Sequence, residues 1–283
     1  MSDVVDLTLG EVLEVVEHLY PPSTAQSWDR VGLVTGDLQQ PVRRVHLAVD
    51  PTLAVIEEAR ELGADLLLTH HPLLLRGVHS VATTTAKGAG VTHLVVGDIA
   101  LYVAHTNADV AADGVCEALA QACGLTTSAP LTLAEDQPLG RVGDLEAALG
   151  LRTFVERLAT RLPAAATGIR VAGPPDAVVR RVAVLGGAGD DLFDAVRASG
   201  ADVYVTADLR HHPALEAREE ARGGPPYLVD AGHWASEQVW LAVAERALRS
   251  GLGGRATRVE THISTVRTDP WTFLVGADTG GKP

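Results

Sequence analysis

The stretch VRRVHLAVD (42–50), PTLAVIEEARELG (51–63) and ADLLLTHHP (64–72) decides the fold. The first and third parts contain apolar runs of strand length, and the part between them has helical periodicity. The last strand ends at a proline, which cannot continue a sheet ladder. The three parts together form a β-α-β unit, which predicts an α/β protein with parallel strands.

The same order of segments recurs 137 residues later in the chain. VRRVAVLGG (179–187) matches the first strand segment, and GADVYVT (200–206) matches GADLLLT (63–69). Further along, PYLVDAG (226–232) followed by a helical segment resembles LYVAHTN (101–107), at a changed offset. A diverged internal duplication accounts for these ordered matches. The alternative is that any two β-α-β units share Val, Ala and Gly patterning.

The repeats predict two related three-layer α/β halves. The connection between them, TTSAPLTLAEDQPLGRVGDLEAALG (126–150), is rich in Pro, Gly, Ser and Thr, with one short strand expected near Arg141. We therefore assign the first repeat to residues 1–125 and the second to residues 126–283. The closing segment ATRVETHISTV (256–266) alternates like a strand and can pair with the first repeat.

Composition narrows the class of protein. Hydrophobic residues make up 46% of the 283 residues, enough for a sizeable core, and the formal net charge of −13 makes nucleic-acid binding unlikely. Two cysteines, Cys116 and Cys123, exclude a disulfide framework and suit a reducing compartment. The acidic N-terminus does not resemble a signal peptide, and no apolar run is long enough for a membrane span. We expect a cytoplasmic protein without a membrane partner.

Two adjacent histidines follow the second strand of the first repeat. His70 and His71 lie where open α/β sheets place their ligand crevices, at the carboxyl end of a strand. The backbone turns at a strand end, so both imidazoles can converge on one cleft. A histidine at such a position can also be an ordinary hydrogen-bonded polar group.

Three further residues extend this candidate site. His233 and Glu237 are spaced i, i+4 at the start of a predicted helix, which places both side chains on one helix face. An ordinary surface pair is the alternative. Asp109 follows the strand that ends near His105, although aspartate at such a position often serves as a helix N-cap or turn residue.

Three imidazoles and two carboxylates exceed what one tetrahedral ion with an open position requires. The five ligands therefore predict two divalent ions in a cleft between the repeats. The absence of thiolates among them favours zinc, iron, manganese or cobalt. Because a metal-binding imidazole must be neutral, metal binding should weaken as the pH falls through about 6.5.

The corresponding strand end of the second repeat carries TADLRHHPAL (206–215). Its Asp208, His211 and His212 lie outside the predicted ligand set and can exchange protons with a bound substrate. They can equally be solvated surface groups. We predict them as the catalytic residues.

Several ordered motifs resemble the NIF-three-like family, whose members are also called GTP cyclohydrolase I type 2 homologs or dinuclear metal centre hexameric proteins. The resemblance covers nearly the whole chain. It rests on SWDRVGLVTGD (27–37), LLLTHHPLL (66–74), AHTNAD (104–109), GRVG (140–143), GGAG (186–189), ADVYVTADLRHH (201–212), DAGHWASE (230–237) and TDPW (268–271).

The resemblance implies a two-repeat fold with a dinuclear metal site on the five residues already selected, all of which this sequence retains. It also implies a toroidal homo-hexamer whose sites face an internal cavity. From it we expect a metal-dependent hydrolase of a nucleotide-like or other small substrate, similar to GTP cyclohydrolase I type 2. The alternative hypothesis is a non-enzymatic metal-binding scaffold or regulatory protein.

Overall fold

The computed structural model describes residues 6–276, in which strands and helices alternate. The strands are β1 (Leu7–Thr8), β2 (Gly32–Thr35), β3 (Pro41–Val42), β4 (Arg44–Ala48), β5 (Leu66–Thr69), β6 (Ala100–Val103), β7 (Ala129–Ala134), β8 (Gln137–Gly150), β9 (Arg170–Ala172), β10 (Val178–Ala188), β11 (Val203–Ala207), β12 (Tyr227–Asp230) and β13 (Glu260–Ile263). The α-helices are α1 (Leu9–Leu19), α2 (Leu53–Glu61), α3 (Ala86–Val96), α4 (Thr106–Val110), α5 (Val115–Cys123), α6 (Leu151–Ala159), α7 (Phe193–Ser199), α8 (His211–Glu220) and α9 (His233–Leu252). Short 3-10 helices lie at Pro22–Thr24 and Gly253–Arg258.

The described residues form two compact units. Unit 1 contains residues 6–118, 133–139 and 240–268, whereas unit 2 contains residues 119–132, 140–239 and 269–276. These bounds differ from those of the two sequence repeats, because the chain returns to unit 1 near its end. No helix in the described part of the chain is long and apolar enough to cross a membrane.

The first sheet has five strands in the order β13-β4-β5-β6-β2. Strands β13, β4, β5 and β6 run parallel to one another, and the edge strand β2 is antiparallel to β6. Strands β5 and β6 are buried along their whole lengths, as expected for parallel strands covered on both faces. The sheet therefore includes the closing strand of the chain, which pairs with β4.

The second sheet repeats part of the first, namely three parallel strands followed by an antiparallel edge strand. Its order is β7-β8-β10-β11-β12-β9, with β10, β11 and β12 parallel and β9 antiparallel at the edge. In the first sheet Val45 is paired with Leu66, and in the second Val182 is paired with Val203, each 137 residues later. The strand register thus agrees with the offset seen in the sequence, and the predicted α/β fold with two related repeats is confirmed.

Each unit has its own hydrophobic core. In unit 1 the buried face of α2, including Ile56, packs with residues of β5 and β6 such as Leu67 and Leu101. In unit 2 the buried face of α6, including Phe154, packs with strand residues such as Val203. Two separate cores give each unit its own source of stability.

The structure differs from the sequence predictions in two segments. Within residues 126–150, β7 and β8 form a hairpin rather than a connection with one short strand, because Glu135 and Asp136 both adopt positive φ (49° and 64°) in a two-residue turn. Turns of this kind usually contain glycine, which is missing here. From the sequence alone, HLVV (93–96) is also expected to begin a strand-like stretch, but these residues end α3. This helix begins after Thr85, whose hydroxyl accepts a hydrogen bond from the Gly88 N–H.

Candidate metal centre

The candidate site of unit 1 lies at the carboxyl ends of β5 and β6. These neighbouring strands are parallel, so the segments that follow them leave the same edge of the sheet. His70 and His71 follow β5, and His105 follows β6. Backbone hydrogen bonds from the N–H groups of His70 and His71 to the carbonyls of Ala48 and Val49 fix the turn after β5.

The histidine cluster, which we define as His70, His71 and His105, brings three imidazoles together. The ring centroids of His70 and His71 are 5.0 Å apart, and that of His105 lies 5.2 and 5.5 Å from them. One nitrogen from each ring lies within 4.8 Å of the other two. The histidine cluster could therefore hold a metal ion.

Each imidazole of the histidine cluster has an acceptor at its Nδ1 atom. His70 Nδ1 lies 2.9 Å from the carbonyl oxygen of Ala104, His71 Nδ1 lies 2.7 Å from Asp50 Oδ1, and His105 Nδ1 lies 2.9 Å from Asp29 Oδ1. A proton on Nδ1 satisfies these acceptors and leaves the lone pair on Nε2. This tautomer and this second layer of acceptors are typical of histidines that bind metals.

Asp29 is a buried carboxylate that anchors the segment after β6. Besides facing His105, it accepts hydrogen bonds from the backbone N–H and the hydroxyl of Thr106, at 3.0 and 2.6 Å. Burial opposes the charge of this carboxyl group, but the hydrogen bonds from His105 and Thr106 outweigh it and hold the pKa of Asp29 well below its usual range. Asp29 thus remains charged and fixes the orientation of His105.

Asp109 is the remaining predicted ligand in unit 1. It lies within the short helix α4, whose N-cap is His105, so it does not serve as the N-cap. Its Oδ1 atom lies 3.6 Å from His70 Nε2, the nitrogen that presents the lone pair. The structure therefore places Asp109 beside His70 and adds His105 to the adjacent pair His70 and His71.

The His233–Glu237 pair forms the candidate site of unit 2. His233 is the first residue of α9, and its Nε2 lies 3.0 Å from Oε1 of Glu237, one turn later. Glu237 is almost completely buried. Gly187 makes room for this carboxylate: a Cβ atom at Gly187 would lie 2.6 Å from Glu237 Oε1, and its φ of +70° also favours glycine.

The environment of His233 is strongly negative. Its Nδ1 lies 2.8 Å from Oδ2 of Asp208, so carboxylates face both ring nitrogens. Burial disfavours the charged imidazole, but the charges and hydrogen bonds of Glu237 and Asp208 prevail and raise the pKa of His233 to about 11. Two carboxylates around one imidazole have a net affinity for a cation, and the donor set fits a divalent metal.

The residues predicted as catalytic lie in unit 2. Asp208, with a positive φ of 54°, is hydrogen-bonded to His233, and this bond lowers the pKa of the Asp208 carboxyl group. His211 and His212 begin α8, are exposed, and have ring centroids 5.1 Å apart. Among residues 6–276, neither belongs to a group of three or more potential metal ligands.

The sequence did not single out His105, Asp29 or Asp50. Asp29 lies within SWDR (27–30) and Asp50 ends the first strand segment VRRVHLAVD, so both lie in quoted motifs. Only the tertiary structure shows which imidazole each carboxylate faces.

Comparisons with known proteins identify the family of this chain. A sequence model of the Duf34/NIF3 (NGG1p interacting factor 3) family matches residues 7–270. Over 274 residues, covering 95% of each chain, the protein is 49% identical to one from Streptomyces coelicolor named GTP cyclohydrolase 1 type 2 homolog. The structure of a Bacillus cereus protein related to NIF3 has a TM-score of 0.86 at 26% identity, covering 94% of this chain and 99% of that one. Reduced HcgD from Methanocaldococcus jannaschii has a TM-score of 0.75 at 31% identity, with 92% and 99% covered. This chain therefore belongs to the Duf34/NIF3 family.

Proposed function

We propose that this chain is a metal-dependent hydrolase that binds two divalent ions and acts on a nucleotide-like or other small substrate. The observation that carries the proposal is the histidine cluster, whose three imidazoles have the spacing of a metal site and each face an acceptor at Nδ1. The His233–Glu237 pair supplies the second set of donors. The proposed ligands are His70, His71, Asp109, His233 and Glu237, with His105 as an additional candidate.

Imidazole and carboxylate donors suit zinc, iron or manganese. When bound, such ions act as Lewis acids and activate water for hydrolysis. The contribution of the chain itself is to fix its donors before substrate arrives. Asp50 and Asp29 hold the rings of His71 and His105, and the carbonyl of Ala104 holds His70. A nucleotide-like substrate is proposed because relatives carry the name GTP cyclohydrolase 1 type 2 homolog.

The proposal is tested by elemental analysis of protein purified without chelator, followed by a screen for hydrolysis of nucleotides and simple phosphoesters. We expect about two metal equivalents per chain and turnover that is lost with chelator. The variants His70→Ala and Glu237→Ala should lose metal yet remain folded, because each unit has its own core. His18→Ala, which removes an exposed imidazole on α1, is the matched control and should keep its metal.

Two results would contradict this proposal in different ways. A metal content that stays near zero after incubation with zinc, manganese or iron would remove the metal site. Full metal content without turnover on any substrate would favour the alternative, a metal-binding scaffold or regulatory protein.

We also propose a cytoplasmic location, because two cysteines in 283 residues suit a reducing compartment.

His211 and His212 are proposed to transfer protons during turnover. The support is their position three and four residues after Asp208, which bonds to His233. We expect His211→Ala or His212→Ala to keep its metal but to lower turnover by roughly 10²-fold, the usual contribution of an acid/base group. Steady-state kinetics with parallel metal analysis measures this, with exposed His79→Ala as the control. Full turnover in both variants would exclude this role.

We further propose that the chain assembles as a homo-hexamer. Exposed apolar side chains near its end support burial against another subunit: Trp271, Phe273, Leu274 and Val275 are each more than half exposed. Light scattering should give a mass of about six chains, and the double variant Phe273→Ser, Val275→Ser should lower it. A monomeric mass for the unmodified chain would contradict this assembly.

A further inference from the structure

Unit 2 contains a cavity of about 360 Å³ that is widely open to solvent and is lined by none of the proposed metal ligands. One wall is a single face of α8, on which His211, Leu215 and Arg218 lie at positions i, i+4 and i+7. The opposite wall includes β9, the edge strand of the second sheet, with Arg170 and Val171. The volume falls in the usual range for small-molecule sites.

The charges in the cavity leave one cation without a carboxylate partner. Arg170 forms a salt bridge with Asp230, whose side chain is largely buried, so this pair is neutral. Within the part of the chain that the structure describes, no carboxylate forms a salt bridge with Arg218. Its Nη1 donates to the carbonyls of Gly224 and Pro226, at 2.8 and 2.6 Å. These carbonyls fix the guanidinium without neutralising it.

Several of the lining residues are apolar, and two of them are nearly half exposed. Leu215 is 48% exposed and Val171 is 44% exposed, and Leu209 and Leu228 also line the cavity. An apolar body bound between α8 and β9 would remove these side chains from water, which is favourable. A fixed cation beside apolar walls complements a molecule with one negative charge and a hydrophobic body.

We propose that this cavity binds a small organic monocarboxylate with an aromatic or branched apolar body. The carboxylate pairs with Arg218, and the apolar body packs between Leu215 and Val171. The site adjoins the His233–Glu237 pair along the chain, because Leu209 follows Asp208 and donates its N–H to Asp230. Binding requires no metal ion, so its test does not depend on the proposed metal centre, although the cavity shares His211 with the proposed proton-transfer residues.

Saturation-transfer NMR on the full-length chain, with benzoate as the probe, tests this proposal. We expect binding with a dissociation constant on the order of 1 mM, as is usual for a ligand of this size. Neutral benzamide and small acetate should each bind at least roughly tenfold more weakly, because each lacks one of the two features. The benzoate signal should persist after treatment with chelator. Its loss on chelation would mean that benzoate binds a metal ion and would overturn the proposal.

A matched pair of variants locates the site. Leu215→Glu places a negative charge in the cavity at an exposed position, whereas Leu215→Gln has the same shape without the charge. We expect the Leu215→Glu variant to bind benzoate at least roughly tenfold more weakly than the Leu215→Gln variant, because like charges repel. Arg218→Lys should retain part of the affinity that Arg218→Met loses. Equal affinity for benzoate and benzamide, equal binding by the two Leu215 variants, or no binding at 10 mM (roughly ten times the expected constant) would overturn the proposal.

Discussion

Gly187→Ala is expected to weaken metal binding by roughly 10- to 100-fold, the usual effect of disturbing the surroundings of a metal ligand. The physical reason is local: the new Cβ atom would lie 2.6 Å from Glu237 Oε1, closer than any stable contact allows. Glu237 is buried and lies one turn after His233 in α9. To avoid the new Cβ atom, its carboxylate must move away from His233. Titration with zinc, monitored by competition with a chromophoric chelator, measures the change.

Gly200→Ala is the matched control for this prediction. Gly200 has a φ of +69°, nearly the same as the +70° of Gly187, but no atom lies within 4 Å of its would-be Cβ. Both substitutions therefore incur a similar backbone strain of roughly 1–2 kcal/mol, which urea unfolding should detect. Only Gly187→Ala should also weaken metal binding. Equal metal affinities in the two variants would show that Glu237 is not a ligand.

The fold could be predicted from the sequence because its decisive features are local and repeated. The apolar runs and the helix between them specify which strands are parallel, and the offset of 137 residues recurs between the register of Val45 with Leu66 and that of Val182 with Val203. The hairpin of β7 and β8 could not be predicted in this way. Its turn depends on Glu135 and Asp136 adopting positive φ, for which the sequence carries no glycine signal.

The candidate site was predictable only in part. His70 and His71 stand out because two adjacent polar residues follow a buried strand, and sheet topology then places them at a ligand crevice. His105 did not stand out, since its role depends on the packing that brings Asp29 to its Nδ1 atom from 76 residues away. Contacts between side chains that are distant in sequence arise only in the folded structure, so no local sequence pattern predicts them.

Metal affinity is expected to rise about tenfold for each pH unit between pH 6 and 9, roughly 10³-fold in total, without a plateau near neutrality. A metal ion can bind His233 only after its proton leaves, and the pKa of about 11 means that this proton is present throughout the range. An ordinary imidazole with a pKa near 6.5 would instead give a plateau above pH 7. Zinc titrations at fixed ionic strength across this pH range measure the slope.

Asp208→Asn provides the control for this pH dependence. It removes one of the two carboxylates that raise the pKa of His233, and asparagine tolerates the positive φ of residue 208. The plateau in metal affinity should then appear at a lower pH than in the unmodified chain.

In the metal-free chain, a rise in pH should lower folding stability. The folded-state pKa of His233 lies above its unfolded value, so the protonated imidazole stabilises the fold fully below about pH 6.5, and this contribution is lost as the pH rises towards 11. Urea unfolding of chelator-treated protein should therefore show a loss of stability between pH 7 and 10 that is smaller in Asp208→Asn. A plateau above pH 7 in the unmodified chain would contradict the proposed role of His233.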